Sequence, residues 1–156
     1  MDMETSFQRL LPLLLLLALP AAVQAQFTYT TNNGTITITG YTGPGGAVII
    51  PSTTDGLPVT SIGNKASGYC TNLTSVTIPN SITSIGQGTF YFCASLTNVT
   101  IPASVASIGS SAFYDCSSLT NLTIPTSVTS IGEHAFAFCT RLTSVTIPNS
   151  VTNIVW

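Results

Sequence analysis

Charge is what this 156-residue chain has least of: 3 Lys and Arg, 5 Asp and Glu and 1 His, so that charged residues make up only 5%. An average globular domain carries roughly a quarter. Nucleic acid is thereby excluded as a partner, because phosphate binding needs several clustered cations. Histidine is single, and no H-E-x-x-H, G-x-S-x-G, phosphate-binding glycine loop or acidic calcium motif occurs. Hydrolytic, metal and cofactor chemistry therefore has no sequence support, and neither an enzyme activity nor a cofactor is expected. Long apolar runs are also missing. Leu10 to Leu19, preceded by Arg9 and followed by Val23-Gln24-Ala25, is too short for the ~20 residues of a membrane span and reads as a secretory signal with a small-x-small cleavage site. Residues 1–25 are assigned to it, which implies a secreted or cell-surface protein beginning at Gln26. No cysteine follows the cleavage point to carry a lipid, and no transmembrane segment is expected in the mature chain. Residues 26–156 hold Lys65 and Arg141 against Asp55, Asp115 and Glu133, a formal charge of −1.

What the chain does have is periodicity. Cys70, Cys93, Cys116 and Cys139 recur every 23 residues, and the sequence around them recurs too. Leu73 to Ser95 reads LTSVTIPNSITSIGQGTFYFCAS, residues 96–118 read LTNVTIPASVASIGSSAFYDCSS, and residues 119–141 read LTNLTIPTSVTSIGEHAFAFCTR; a partial copy covers 142–154. Such a period specifies a solenoid, in which each coil buries its apolar side only against its neighbours. Upstream, Phe27 to Thr42 alternates apolar and polar residues about Asn32-Asn33-Gly34, the signature of a hairpin whose turn needs positive φ. Residues 26–46 are assigned to this N-terminal β-hairpin cap and a following loop, and 47–72 to an irregular first coil. That coil carries five extra residues around Asp55-Gly56 and Leu57-Pro58, expected to bulge from one face as a turn.

Within a coil, Val76 and Ile78 alternate with Ser75 and Thr77, which places apolar residues inward and hydroxyls outward on a short strand ended by Pro79. Ile82 and Ile85 mark a second extended piece that closes at Gly86. Phe90 and Cys93, spaced i, i+3, predict a helical turn that returns the chain to the next coil. Stacking at about 4.8 Å makes columns of the Leu, Val, Ile, Phe and Cys positions. Parallel Cβ vectors at that spacing are too far apart for favourable disulfides. Buried free thiols are therefore expected over bridges, and zinc is disfavoured because a ladder spreads its ligands along an axis.

The pattern L-T-x-[VL]-T-I-P-x-S-[VI]-x-x-I-G-x-x-[TA]-F-x-x-C resembles the BspA-like leucine-rich repeat over residues 48–154. The resemblance implies a β-rich leucine-rich-repeat solenoid, with short parallel strands, in a bacterial secreted or surface protein. It also implies a non-catalytic protein-binding or adhesion role. Two positions depart from the pattern: Ser67 stands where other coils have Phe90, Phe113 and Phe136, and Val155-Trp156 stand where a glycine is expected.

Two surfaces qualify as binding sites. One is the polar strand face: Ser75, Asn98, Asn121 and Ser144 in one column, Thr77, Thr100, Thr123 and Thr146 in the next. The other is the aromatic turn column Tyr69, Phe92 and Phe138, with Asp115 at the third position and Tyr91 and Tyr114 beside it. Plain alternatives exist: threonine suits strands, and the rings could fold over the coil edge. His134, beside Glu133, occupies a turn position that holds Gly88 and Ser111 in other coils and is expected to be inert. The partner is a protein or a glycan. Structural self-association through an uncapped C-terminal coil, and a non-catalytic part of a larger secreted enzyme, remain as alternatives.

Overall fold

The computed structural model describes residues 26–154; the assigned signal segment and Val155-Trp156 lie outside them. The strands are β1 (Phe27–Asn32), β2 (Thr35–Tyr41), β3 (Gly46–Ile49), β4 (Thr53–Thr54), β5 (Leu57–Ile62), β6 (Leu73–Thr77), β7 (Ser84–Ile85), β8 (Asn98–Thr100), β9 (Ser107–Ile108), β10 (Asn121–Thr123), β11 (Ser130–Ile131) and β12 (Asn153–Ile154). They form the two walls of a β-solenoid. One sheet runs β1-β2-β5-β7-β9-β11-β12, with β4 attached to β5; the other runs β10-β8-β6-β3. Coil-to-coil pairing is parallel and in register, Ser75 opposite Asn98 and Val76 opposite Val99, then Asn121 opposite Asn98 and Leu122 opposite Val99. The 23-residue period thus becomes physical columns.

Both predicted turns form where residues tolerant of positive φ sit. Asn33 (φ 48°) and Gly34 (φ 76°) connect β1 to β2, and Asp55 (φ 50°) and Gly56 (φ 75°) connect β4 to β5. Strand β2 pairs in parallel with β5, while β3 ends the other sheet. The two hairpins are tied together by the Tyr29 hydroxyl, which donates to Asp55 Oδ2.

Between the walls, Ile36, Val59, Ile82, Ile85, Phe90, Leu96, Val105, Phe113, Leu119 and Val128 are fully buried. Phe90 stacks on Phe113 at 5.2 Å and Phe113 on Phe136 at 5.6 Å. A glycine column, Gly63, Gly86, Gly109 and Gly132, marks the closest approach between coils. A Cβ on Gly109 would lie 2.6 Å from Gln87 N and from Gly86 C, so these positions need hydrogen as a side chain whatever their φ.

Two expectations require correction. The return from Gln87 to Ser95 contains no helix. In the equivalent segment of the first coil, Lys65, Ser67 and Tyr69 donate their amides to the carbonyls of Gln87, Thr89 and Tyr91 in the next coil, at 2.8, 2.9 and 2.6 Å. The intervening amides of Ala66, Gly68 and Cys70 reach back only three residues, to Gly63, Lys65 and Ser67. Every second amide is claimed by a neighbour, so no i→i−4 ladder can form. The outcome is a chain of tight turns, with Phe90 and Cys93 still pointing inward.

The second correction concerns the fourth copy. Leu142 to Pro148 reads LTSVTIP, identical to Leu73 to Pro79, yet Ser144 and Thr146 belong to no strand while β12 pairs with β11. Strand β6 is held between β3 and β8. The same heptapeptide at 142–148 has no strand partner among the described residues and does not extend the sheet beyond β10. Ile147 is consequently 40% exposed where its equivalents Ile78, Ile101 and Ile124 are 5%.

Candidate functional site

Packing closes off three of the four thiols, and Cys70 is half-buried. All four cysteines are free, and Cys93, Cys116 and Cys139 are buried. Their Sγ atoms donate to the carbonyls of Ser67, Phe90 and Phe113, at 3.1, 3.1 and 3.0 Å, each in the preceding coil. Burial pushes the Cys93 thiol up to about 12 from the ordinary 9.0. Its thiolate is therefore scarce at neutral pH. We expect Cys93, Cys116 and Cys139 to escape a thiol reagent in the native state, half-buried Cys70 to react slowly, and all four thiols to react in denaturant; two intact disulfides by mass measurement of the non-reduced chain would contradict this. The linkage has a definite sign. Between about pH 9 and 12 the unfolded chain loses a proton that native Cys93 retains, so stability should fall across that window. Alkaline denaturation curves would show it, and a stability that held level to pH 12 would exclude it.

His134 Nδ1 lies 3.4 Å from Glu133 Oε1, with the two side chains 56% and 48% exposed. It is an exposed pair on a turn.

On the polar strand face, Thr77, Asn98, Thr100, Asn121 and Thr123 are exposed and Ser75 is half-buried. The threonines one position before this face use their hydroxyls within the stack: Thr97 Oγ1 donates to Thr74 O at 3.0 Å and Thr120 Oγ1 to Thr97 O at 3.3 Å. Among the described residues, Ser75, Thr77, Asn98, Thr100 and Thr123 make no such side-chain bond, and Asn121 bonds only the adjacent Thr120. The face therefore presents free donors and acceptors at a coil spacing of about 4.8 Å. Ser144 and Thr146 are exposed but have left the sheet, and they border a cleft of about 390 Å³ with Asn121 and Thr123 on its other side. The predicted columns thus have three coplanar rungs.

The aromatic column is interrupted at Asp115, and Tyr114 bridges the rings on either side, 5.8 Å from Phe92 and 5.0 Å from Phe138. Tyr69 stacks on Phe92 at 5.6 Å, Tyr91 on Tyr114 at 5.0 Å, Tyr91 packs against Phe92 at 4.6 Å, and Phe138 tilts over Tyr114 at 5.0 Å. Tyr69 is 66% and Phe138 62% exposed; Tyr91, Phe92 and Tyr114 are half-buried. Their backbone was not foreseen. Tyr69, Phe92, Asp115 and Phe138 have φ of 63°, 57°, 51° and 60°, a left-handed conformation in which bulky side chains are rare. Each costs about 1 kcal/mol or more relative to a residue that accepts it. A parallel column of positive φ, Lys65, Gly88, Ser111 and His134, holds small or flexible residues instead. Asp at position 115, a residue that tolerates left-handed backbone, was the only sequence signal for the first column.

At the C-terminal end of the described chain, Ile131, Ala135, Phe136, Ile147 and Ile154 line an apolar hollow of about 500 Å³. Among the described residues no helix is long and apolar enough to cross a membrane.

Comparison with known proteins agrees with this architecture. The chain is similar to the leucine-rich repeat protein of T. pallidum (38% identity, TM-score 0.81, covering 83% of this chain and 62% of that one). It is also similar to a leucine-rich repeat protein from Bacteroides capillosus (34%, TM-score 0.69, 77% and 92%). A leucine-rich cell surface protein from Faecalibacterium prausnitzii gives 33% identity with a TM-score of 0.57, over 83% of this chain and 48% of that one. The chain therefore spans less than two thirds of the length of the first and third of these. No curated protein matches. A family model described as the BspA type leucine-rich repeat region matches residues 49–155 in six copies, and the chain belongs to that family.

Proposed function

We propose that this is a secreted or cell-surface binding module without enzymatic activity, which holds a protein partner against the aromatic column, with the adjoining strand face as a secondary contact. What supports this is the backbone of Tyr69, Phe92 and Phe138. A fold that needs only a left-handed turn is served more cheaply by Gly, Asn or Asp, so exposed rings at these positions are expected to do something other than hold the coil. Exposed aromatics are also the commonest anchors of interfaces. Binding should be weak per coil and strengthened by longer arrays, because tethered sites add through effective concentration.

The experiment compares adhesion of the wild-type chain to immobilised matrix proteins and glycans with that of two variants. One carries Tyr69→Ser, Phe92→Ser and Phe138→Ser; the other carries Thr77→Lys, Thr100→Lys and Thr123→Lys. The ring variant should lose most binding and the lysine variant part of it, with little change between low and high salt, since few charges exist to be screened. Full adhesion by the ring variant would refute the column as the contact.

The apolar hollow beside Ile147 and Phe136 favours a second reading, self-association through that end. Sedimentation of wild type against Ile147→Lys tests it: a dimer dispersed by the lysine supports it, and a monomer at all concentrations rejects it.

A further inference from the structure

One seam of the stack opens at the last coil. In the column that precedes the strand face, Thr97 N–H donates to Thr74 O at 2.9 Å and Thr120 N–H to Thr97 O at 3.3 Å. The hydroxyls repeat the contact, Thr97 Oγ1 donating to Thr74 O at 3.0 Å and Thr120 Oγ1 to Thr97 O at 3.3 Å. Thr143 is the next residue of that column. Among the described residues neither its amide nor its hydroxyl donates to Thr120 O, and no other group does. The opposite wall stays closed at the same coil, where Thr152 N–H donates to Thr129 O at 3.0 Å and β12 pairs with β11.

The open seam is a cleft. The groove over the paired strands β8 and β10 holds about 190 Å³. Between β10 and residues 143–148 the space is about 390 Å³, within the ~300–1,000 Å³ of small-ligand sites. Asn121, Thr123, Thr126, Thr143, Ser144 and Thr146 contribute to its lining, and no lining residue is charged. Among the described residues Thr123, Thr126, Ser144 and Thr146 make no side-chain hydrogen bond, and Asn121 uses only Nδ2, toward Thr120 Oγ1 at 3.3 Å.

We infer that this cleft is a binding site for a neutral sugar unit of a glycan. Thr143 offers two donors there, its N–H and its hydroxyl, and Thr120 offers a carbonyl; in the preceding coils the same groups satisfy one another. A ligand that answers both must donate and accept, which a hydroxyl does. A carboxylate or phosphate only accepts and an ammonium only donates, and neither meets a counter-charge in this lining, so its desolvation goes uncompensated. The further hydroxyls of a sugar ring match the free hydroxyl and amide side chains, which donate and accept in the same way. An extended peptide draws its specificity from pockets for alternate side chains, and with Leu122 and Ile124 buried the lining offers none. The site is separate from the aromatic column and does not depend on the protein contact proposed for it.

The test follows the backbone amides of the intact chain by NMR during titration with methyl β-glucoside, methyl β-galactoside and methyl N-acetyl-β-glucosaminide. Methyl β-glucuronide, methyl β-glucosaminide and the blocked peptide Ala-Thr-Val-Thr-Ala serve as the anionic, cationic and peptide comparisons. At least one neutral glycoside should shift Asn121, Thr143 and Ser144 together, and the charged sugars should bind roughly fivefold or more weakly. Thr143→Val keeps a β-branched side chain without the hydroxyl, and Asn121→Ala removes the amide; each should weaken sugar binding by roughly two- to tenfold. Thr97→Val, two coils away, should bind as wild type does. Silence with all three neutral glycosides, or wild-type affinity in both Thr143→Val and Asn121→Ala, would overturn the site. A charged sugar bound as well as its neutral parent would overturn the argument from neutrality, and a peptide bound more tightly than every sugar at the same amides would overturn the assignment to a glycan.

Discussion

Replacing Phe113 with alanine is expected to cost about 3 to 5 kcal/mol and to lower the melting temperature of the stack accordingly. Phe113 is fully buried and sits in the middle of a three-ring stack, 5.2 Å from Phe90 and 5.6 Å from Phe136. Truncation opens a cavity that the coils cannot close, because the backbone pairing on both walls fixes their separation. His134→Ala, on an exposed turn, should be within about 0.5 kcal/mol of wild type. Thermal melts of the two variants side by side check the inside and outside assignment, and equal losses would show it to be wrong.

Gly109→Ala is expected to be damaging for the opposite reason. Its added Cβ would come 2.6 Å from Gln87 N and Gly86 C, backbone atoms of the preceding coil that cannot turn aside as a flexible side chain would. The coils must move apart or the strands β7 and β9 must unpair. Overpacking of this kind costs roughly 1 to 3 kcal/mol and sometimes more. Since φ at Gly109 is not positive, the effect is purely one of space, and Gly109→Ser should be worse than Gly109→Ala. Urea midpoints order the three proteins; an alanine variant as stable as wild type would mean the coils are not packed this closely.

The parts of the fold that were legible in the sequence are those fixed by local chemistry repeated at a constant interval. The 23-residue period, the inward Val76, Ile78, Ile82 and Ile85, the free thiol column and the turns at Asn33-Gly34 and Asp55-Gly56 all follow from residue type and spacing. The return segment did not. Phe90 and Cys93 at i, i+3 fit a helix or a run of tight turns equally well. The choice falls to amides that donate to carbonyls a whole coil away, a competition no window of sequence contains. Residues 142–148 make the same point more sharply, because the heptapeptide that forms β6 between β3 and β8 belongs to no strand when it recurs there. The glycine column is legible as a recurrence: Gly63, Gly86, Gly109 and Gly132 share one position at which φ is not positive, which points to close approach. In the candidate site, the identities of the rings were evident, but their left-handed backbone was masked by aromatics that ordinarily avoid it.

That backbone offers the most direct test of why the rings are there. The double variant Tyr69→Asn, Phe138→Asn removes two exposed side chains and supplies residues that accept positive φ. If the column exists for contact, the variant should melt at or above the wild-type temperature while its adhesion to the partner is lost. A melting temperature lowered as far as that of Phe113→Ala, with adhesion retained, would show the rings to be part of the scaffold and would contradict the account.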